Sequence, residues 1–370
     1  MKLRRFRTAR TAILAALGLA FTTAPEVRAA TLAAGETAAA ERALDSYRAK
    51  GLTDGVVLVA RNGVPVFRKA FGQANREWGI PNAPDVEFWI GSITKQFTAL
   101  AILQLAEDGK LSLDDPITKF VEIAPPAWQG ITIRHLLSHT SGIPNHTSLP
   151  EWGAQTWVER SPEDLIRFIR DRPLDFAPGA KFQYDNTGYV ILGFIVQKVS
   201  GQPLSGYLSA HVFDPLGMKH TGFVGGQVLP RRASGYDQDG TRWLADLWAP
   251  AIKDSGAGGI YSTADDLLTW DQALNTPTRL GLKDLKPMFT DYGHGFGFGY
   301  VIADENGHSR WWHNGHVAGF GSIIARYPRD GLTVIVLSND GGAPVERFSQ
   351  DLAQVYLGSS VRAGQAHEVR

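Results

Sequence analysis

Ser92-Ile93-Thr94-Lys95 is the stretch of this chain whose residue types and spacing could do covalent chemistry. Residues three apart on a helix project from the same side, one turn from each other. A serine hydroxyl is a weak nucleophile until a neighbouring base takes its proton, and this spacing alone seats an amine beside it. Gly91 permits a tight turn into the helix. From Thr94 to Glu107 the pattern is apolar nearly all round (Phe97, Leu100, Ile102, Leu103, Leu105), which predicts a buried helix ended at Gly109. Lys95 would then lie in the first turn, where burial and the helix dipole both disfavour its ammonium form. Holding an ordinary lysine neutral at pH 7 costs about 4–5 kcal/mol, much of which burial can supply. A short motif also arises by chance, and the plain alternative is a surface lysine near an unrelated serine.

Two further stretches are candidates. In Tyr184-Asp185-Asn186, a tyrosine can act as a general base if a cation such as Lys95 depresses its pKa, and Asn186 can hold that lysine. The plain alternative is a loop tyrosine and an Asn N-cap for a helix over Thr187–Val199; Asn186 can do both jobs. In Trp312-His313-Asn314-Gly315-His316, Gly315 allows close approach of another backbone or a substrate. A backbone N–H there could complete an oxyanion hole with that of Ser92, each donor contributing about 3–4 kcal/mol. Here the alternative is a turn carrying two solvent histidines.

Other features lean structural. His135 and His139 are four apart in a predicted helix over Ile131–His139, but no glutamate follows the first as in a zinc-binding H-E-x-x-H, so no metal is expected. Thr263 with Asp266 predicts a capping box. Trp311 and Trp312 read as strand core. The glycine-rich His294–Gly299 lacks the strand-to-helix setting of a phosphate loop, and the absence of G-x-S-x-G disfavours an α/β-hydrolase.

These segments must be positioned by a larger frame. Glu36–Lys50 predicts an amphipathic helix. Gly55–Arg61 and Val64–Phe71 predict strands joined at Asn62-Gly63, a strong hairpin turn. The middle of the chain, roughly Ser92 to Trp248, reads as mostly helical, with Pro and Gly in the loops between. Strands return at Arg310–His313, Gly319–Tyr327 and Leu332–Ser338, the last two around the turn Pro328–Gly331, and Val345–Leu357 predicts a closing helix. The simplest packing is α+β: one antiparallel sheet built from both ends of the chain, flanked by the terminal helices, with an inserted helical lobe and a cleft between lobes. The expected organisation is a signal peptide over 1–29, one catalytic domain over 31–358 (sheet lobe about 36–90 and 255–358, helical lobe about 91–254), and a disordered tail over 359–370.

The basic start, the apolar run Ala12–Phe21 and the small residues Ala29-Ala30 predict export to the periplasm or medium, and the run is too short to span a bilayer. Without residues 1–29 the net charge falls from zero to about −5, so nothing points to nucleic acid or an anionic membrane. The 370 residues include no cysteine, which excludes a thiol nucleophile, a disulfide and a cysteine metal site.

Phe88–Phe97 resembles the nucleophile segment of the serine β-lactamase-like family, which includes class C β-lactamases, D-alanyl-D-alanine carboxypeptidases, D-aminopeptidases and related esterases. Ile133–Gly142, Pro178–Tyr189, Pro215–Met218 and Gly258–Asp265 resemble its other signatures, in order, from about residue 36 to about 340. The resemblance implies a β-lactamase/transpeptidase-like fold, with Ser92 acylated, Lys95 and Tyr184 sharing the proton work, and Asn186 positioning Lys95. His313-Asn314-Gly315 would occupy the family's Lys-Thr-Gly position, with the His316 N–H at the oxyanion. No cofactor is implied, and a monomer is expected. Two departures matter. His313 replaces a lysine that helps hold a substrate carboxylate, and histidine is only partly charged near pH 7, which leans toward the esterases. Asp185 occupies a position where small residues are common, and is expected to face solvent. A small-molecule or peptide-like ester or amide is the implied substrate. A penicillin-binding sensor that acylates without turning over is the alternative.

Overall fold

A computed structural model describes residues 24–155, 159–246 and 252–358. The predicted tail and most of the predicted signal peptide lie outside the described residues. Six strands form one antiparallel sheet: β1 Gly55–Arg61, β2 Val64–Phe71, β3 Val301–Glu305, β4 His308–Val317, β5 Phe320–Tyr327 and β6 Leu332–Ser338. Their spatial order is β3-β4-β5-β6-β1-β2, so the first hairpin joins the late strands through β1 and β6. Register pairs Val57 with Val336 and Val59 with Val334. At the β1–β2 turn, Asn62 and Gly63 both take the positive φ that a two-residue hairpin requires.

The central strands read as unbroken apolar runs because both faces of the sheet are covered. Side chains alternate between two cores. Val57 and Val59 face one that contains Leu44, Phe348 and Leu352. These come from helices α1 (Ala24–Arg48) and α7 (Val345–Leu357), which pack on each other and on that face. Val56 and Leu58 face the larger core, beneath α6 (Ala264–Ala273) and the helical lobe. That lobe centres on α2 (Thr94–Glu107) packed against α5 (Asn186–Ser200), and also holds α3 (Ile133–Leu137) and α4 (Pro162–Ile169). A small sheet of Phe88–Trp89, Ile260–Ser262 and Gly222–Phe223 ties the approach to Ser92 to the segment after Ala257.

Several elements differ from the sequence expectation. Helix α1 begins at Ala24 rather than Glu36, because the alanine-rich run before Glu36 favours helix. The predicted helix over Ile131–His139 is only α3. It stops where Ser138 Oγ donates to the Arg134 carbonyl at 2.8 Å, and His139 follows in the left-handed region at φ 57. Trp312–His316 lies inside β4, not in a turn. Thr263 caps α6, but the capping box is half-formed, since the Asp266 carboxylate instead accepts from His220 N and Thr221 Oγ1.

Candidate active site

The nucleophile turn is held by close backbone packing. Ser92 lies in a single 3₁₀ turn, Gly91–Ile93, that leads into α2 and rests on β4. Gly91 has φ 51, and a Cβ there would lie 3.1 Å from His316 N and 3.2 Å from Gly315. A Cβ on Gly315 would lie 2.0 Å from Ile90 O. Ser322 Oγ, on β5, donates to that same Ile90 carbonyl at 2.9 Å. Two glycines from distant parts of the chain thus let the turn and the strand touch, and Ser92 stays only half-buried.

Lys95 is fully buried, and burial pulls its amine well below the ordinary lysine value; the carboxylate of Asp185 opposes this. Its Nζ lies 3.0 Å from Ser92 Oγ, 2.8 Å from Asn186 Oδ1 and 2.8 Å from the Ala257 carbonyl oxygen. A neutral amine has two N–H donors and one lone pair. The two carbonyl oxygens can only accept, so they take both protons. The lone pair is left facing the serine hydroxyl, which makes Lys95 able to receive the Ser92 proton.

Tyr184 differs from the sequence expectation. It hydrogen-bonds to the Ser92 side chain, yet burial raises its pKa above the ordinary tyrosine value. Lys95, itself pulled below its ordinary value by burial, does not offset the burial of the phenol. Tyr184 is therefore a phenol, a proton donor. With the single serine proton directed to Lys95, the phenol is the donor toward Ser92 Oγ. Its ring stacks on His139 with centroids 4.6 Å apart.

Asp185 is also corrected. It is buried rather than solvent-facing, and it, not Asn186, is the N-cap of α5. Its carboxylate accepts from Thr187 N at 2.7 Å and Gly188 N at 2.9 Å. Burial outweighs those bonds and lifts its pKa to about 7. Asp185 N donates to His139 Nδ1 at 3.1 Å, which fixes the backbone between Tyr184 and Asn186. His135 and His139 do not lie one turn apart on a helix as expected: His139 is past the helix end, and His135 Nδ1 accepts from Thr132 N.

His313 is buried on β4, with its ring 6.1 Å from that of Tyr184. Burial lowers its pKa to about 3, so it is neutral at pH 7 rather than partly charged. Its Nδ1 lies 2.5 Å from the Asn314 carbonyl, which only accepts, so Nδ1 carries the proton and the unpartnered Nε2 is an acceptor. His316 directs its ring to Gly341 O at 2.5 Å and brings its backbone N to the nucleophile turn. Ser92, Lys95, Tyr184, Asn186, His313, Gly315 and His316 thus converge on one place.

Sequence reasoning missed Asn145, Thr147 and the Ala257 carbonyl. Asn145 Oδ1 accepts from Asn186 N at 3.2 Å, and Thr147 Oγ1 accepts from Asn186 Nδ2 at 3.0 Å. The polar run Asn145–Ser148 reads only as a turn, and a backbone carbonyl leaves no signature in residue type.

A model of the family described as Beta-lactamase matches residues 38–357. PbpX of Bacillus subtilis (strain 168) is 34% identical over 285 residues, which is 76% of this chain and 69% of that protein. Esterase EstB of Burkholderia gladioli is 32% identical over 325 residues, 76% of this chain and 82% of its own. The solved octameric penicillin-binding protein homologue from Pyrococcus abyssi superposes with a TM-score of 0.76 at 31% identity, over 86% of this chain and 77% of that one.

Proposed function

The chain belongs to the beta-lactamase family of serine hydrolases, and from that premise we propose that it is an exported enzyme cleaving esters or amides through an acyl-enzyme on Ser92. The observation that carries this is the buried Lys95 Nζ 3.0 Å from the Oγ of a half-buried Ser92, with Asn186 Oδ1 and the Ala257 carbonyl as its two other partners. Lys95 takes the hydroxyl proton as Ser92 Oγ attacks the carbonyl carbon. The backbone N–H groups of Ser92 and His316 hold the resulting oxyanion. The Tyr184 phenol gives its proton to the leaving oxygen or nitrogen as that bond breaks, and the Lys95 ammonium restores it. Water then repeats the sequence on the ester of Ser92. Every group named comes from one chain, so a monomer suffices. The basic and apolar start of the sequence supports export.

The substrate class follows from His313. A neutral, buried imidazole offers no positive charge to a carboxylate beside the scissile bond. Simple esters or amides lacking that carboxylate, in keeping with an esterase among the relatives, therefore fit better than β-lactams or D-alanyl peptides. Intact-mass labelling of wild type and Ser92→Ala with a fluorophosphonate and with a penicillin, alongside p-nitrophenyl ester turnover, tests the proposal. A Ser92-dependent phosphonyl adduct with ester turnover lost in the variant is expected. Turnover unchanged in Ser92→Ala would end it. A penicillin adduct that persists without ester turnover would favour an acylating sensor.

A further inference from the structure

The direction of every proton around Lys95 can be read from backbone groups whose roles are fixed. At one end is Asn186 N–H, which can only donate. It points to Asn145 Oδ1 at 3.2 Å, so the oxygen of the Asn145 amide must face it. The other side of that amide agrees, with Asn145 Nδ2 donating to Ser148 Oγ at 3.2 Å. Thr147 Oγ1 lies 3.1 Å from the same Asn145 oxygen and gives it its only proton. Its lone pairs are then left to accept from Asn186 Nδ2 at 3.0 Å. The Asn186 amide can therefore present only its oxygen to Lys95, at 2.8 Å. At the far end the Ala257 carbonyl, which can only accept, takes the second amine proton.

We infer that Asn145 and Thr147 are positioning residues that set the orientation of the Asn186 amide, and through it turn the Lys95 lone pair toward Ser92. The inference presupposes the Ser92 acyl-enzyme proposed above. Thr147 Oγ1 is the acceptor seen for Asn186 Nδ2 among the described residues, so removing that hydroxyl leaves the N–H only to solvent. The amide can then flip and offer its NH₂ to the amine. A flipped amide occupies the lone pair that should receive the serine proton. It also withdraws the oxygen that stabilises the ammonium formed in the transition state. Both effects slow acylation without touching substrate. The surrounding turn is held separately, since His146 N donates to Thr187 Oγ1 and that hydroxyl donates to the Pro144 carbonyl. Thr147 is itself exposed, so replacing it leaves the core intact.

The test compares wild type, Thr147→Val, Thr147→Ser and Ser92→Ala by their second-order rates of fluorophosphonate labelling across pH, with KM for a p-nitrophenyl ester and melting temperature alongside. Thr147→Val is expected to lower the plateau rate about tenfold, the worth of one such hydrogen bond. It should also move the acid limb to lower pH, because Lys95 loses an acceptor for its protonated form. KM and melting should stay unchanged, and Thr147→Ser should restore both rate and profile. A Thr147→Val protein with the wild-type plateau and limb, or a Thr147→Ser protein as slow as the valine variant, overturns the positioning role. When Ser92→Ala abolishes labelling, that result leaves the acyl-enzyme standing. Labelling that survives Ser92→Ala overturns both.

Discussion

Replacing Lys95 with methionine should change how stability depends on pH more than it changes stability itself. In the folded protein burial holds the amine well below its ordinary value of 10.5, while in the unfolded chain it titrates normally. Between those two values the unfolded state carries a proton that the folded state lacks. Stability therefore rises with pH through that window, by about 1.4 kcal/mol per pH unit. Lys95→Met has no such group. The wild-type unfolding free energy minus that of the variant should grow by about 2 kcal/mol from roughly pH 8 to 9.5. Subtracting the two proteins removes the titrations they share. At neutral pH the absolute difference is a poor test. Losing a buried neutral lysine relieves about 4–5 kcal/mol, but it orphans Asn186 Oδ1 and the Ala257 carbonyl, at about 1–3 kcal/mol each. Urea unfolding followed by tryptophan fluorescence at several pH values supplies the measurement. Parallel pH dependences for the two proteins would refute the idea that Lys95 is held neutral, and with it the route by which Ser92 is activated.

Gly315→Ala should destabilise the protein by about 1–3 kcal/mol, as expected for an overpacked site, because its Cβ would fall 2.0 Å from Ile90 O. Acylation should fall further than stability does, since the nucleophile turn must move; melting and fluorophosphonate labelling check this, and full labelling would contradict the close fit. His313→Lys should raise kcat/KM for an ester bearing a carboxylate beside the scissile bond relative to its neutral analogue. An unchanged ratio would show that this position does not select substrate charge.

The frame was legible because its signals are local. Asn62-Gly63 between two apolar runs predicts the β1–β2 hairpin, and an all-round apolar stretch ending at Gly109 predicts α2 with its bounds. The joining of the two chain ends in one sheet is the simplest packing of two separated blocks of strands, and β1 does pair with β6. Errors arose where tertiary context decides between equivalent residues. Asp and Asn cap helices equally well; here Asp185 caps α5 while the Asn186 side chain turns to the Lys95 amine. Proton states were illegible for the same reason. His313 and Tyr184 are shifted mainly by burial, which depends on what packs around them and not on neighbours in sequence. Asn145 and Thr147 reach Asn186 across a fold that no spacing rule connects.

The contact between Gly91 and Gly315 also joins two parts of the chain that are made at different times. The strand against which the serine's turn rests emerges more than two hundred residues after the serine itself. Such long-range pairings form slowly. A nascent or truncated chain ending before β4 therefore carries the serine and lysine without the surface that shapes them. The turn that holds the hydroxyl gains its backing only once the sheet has closed.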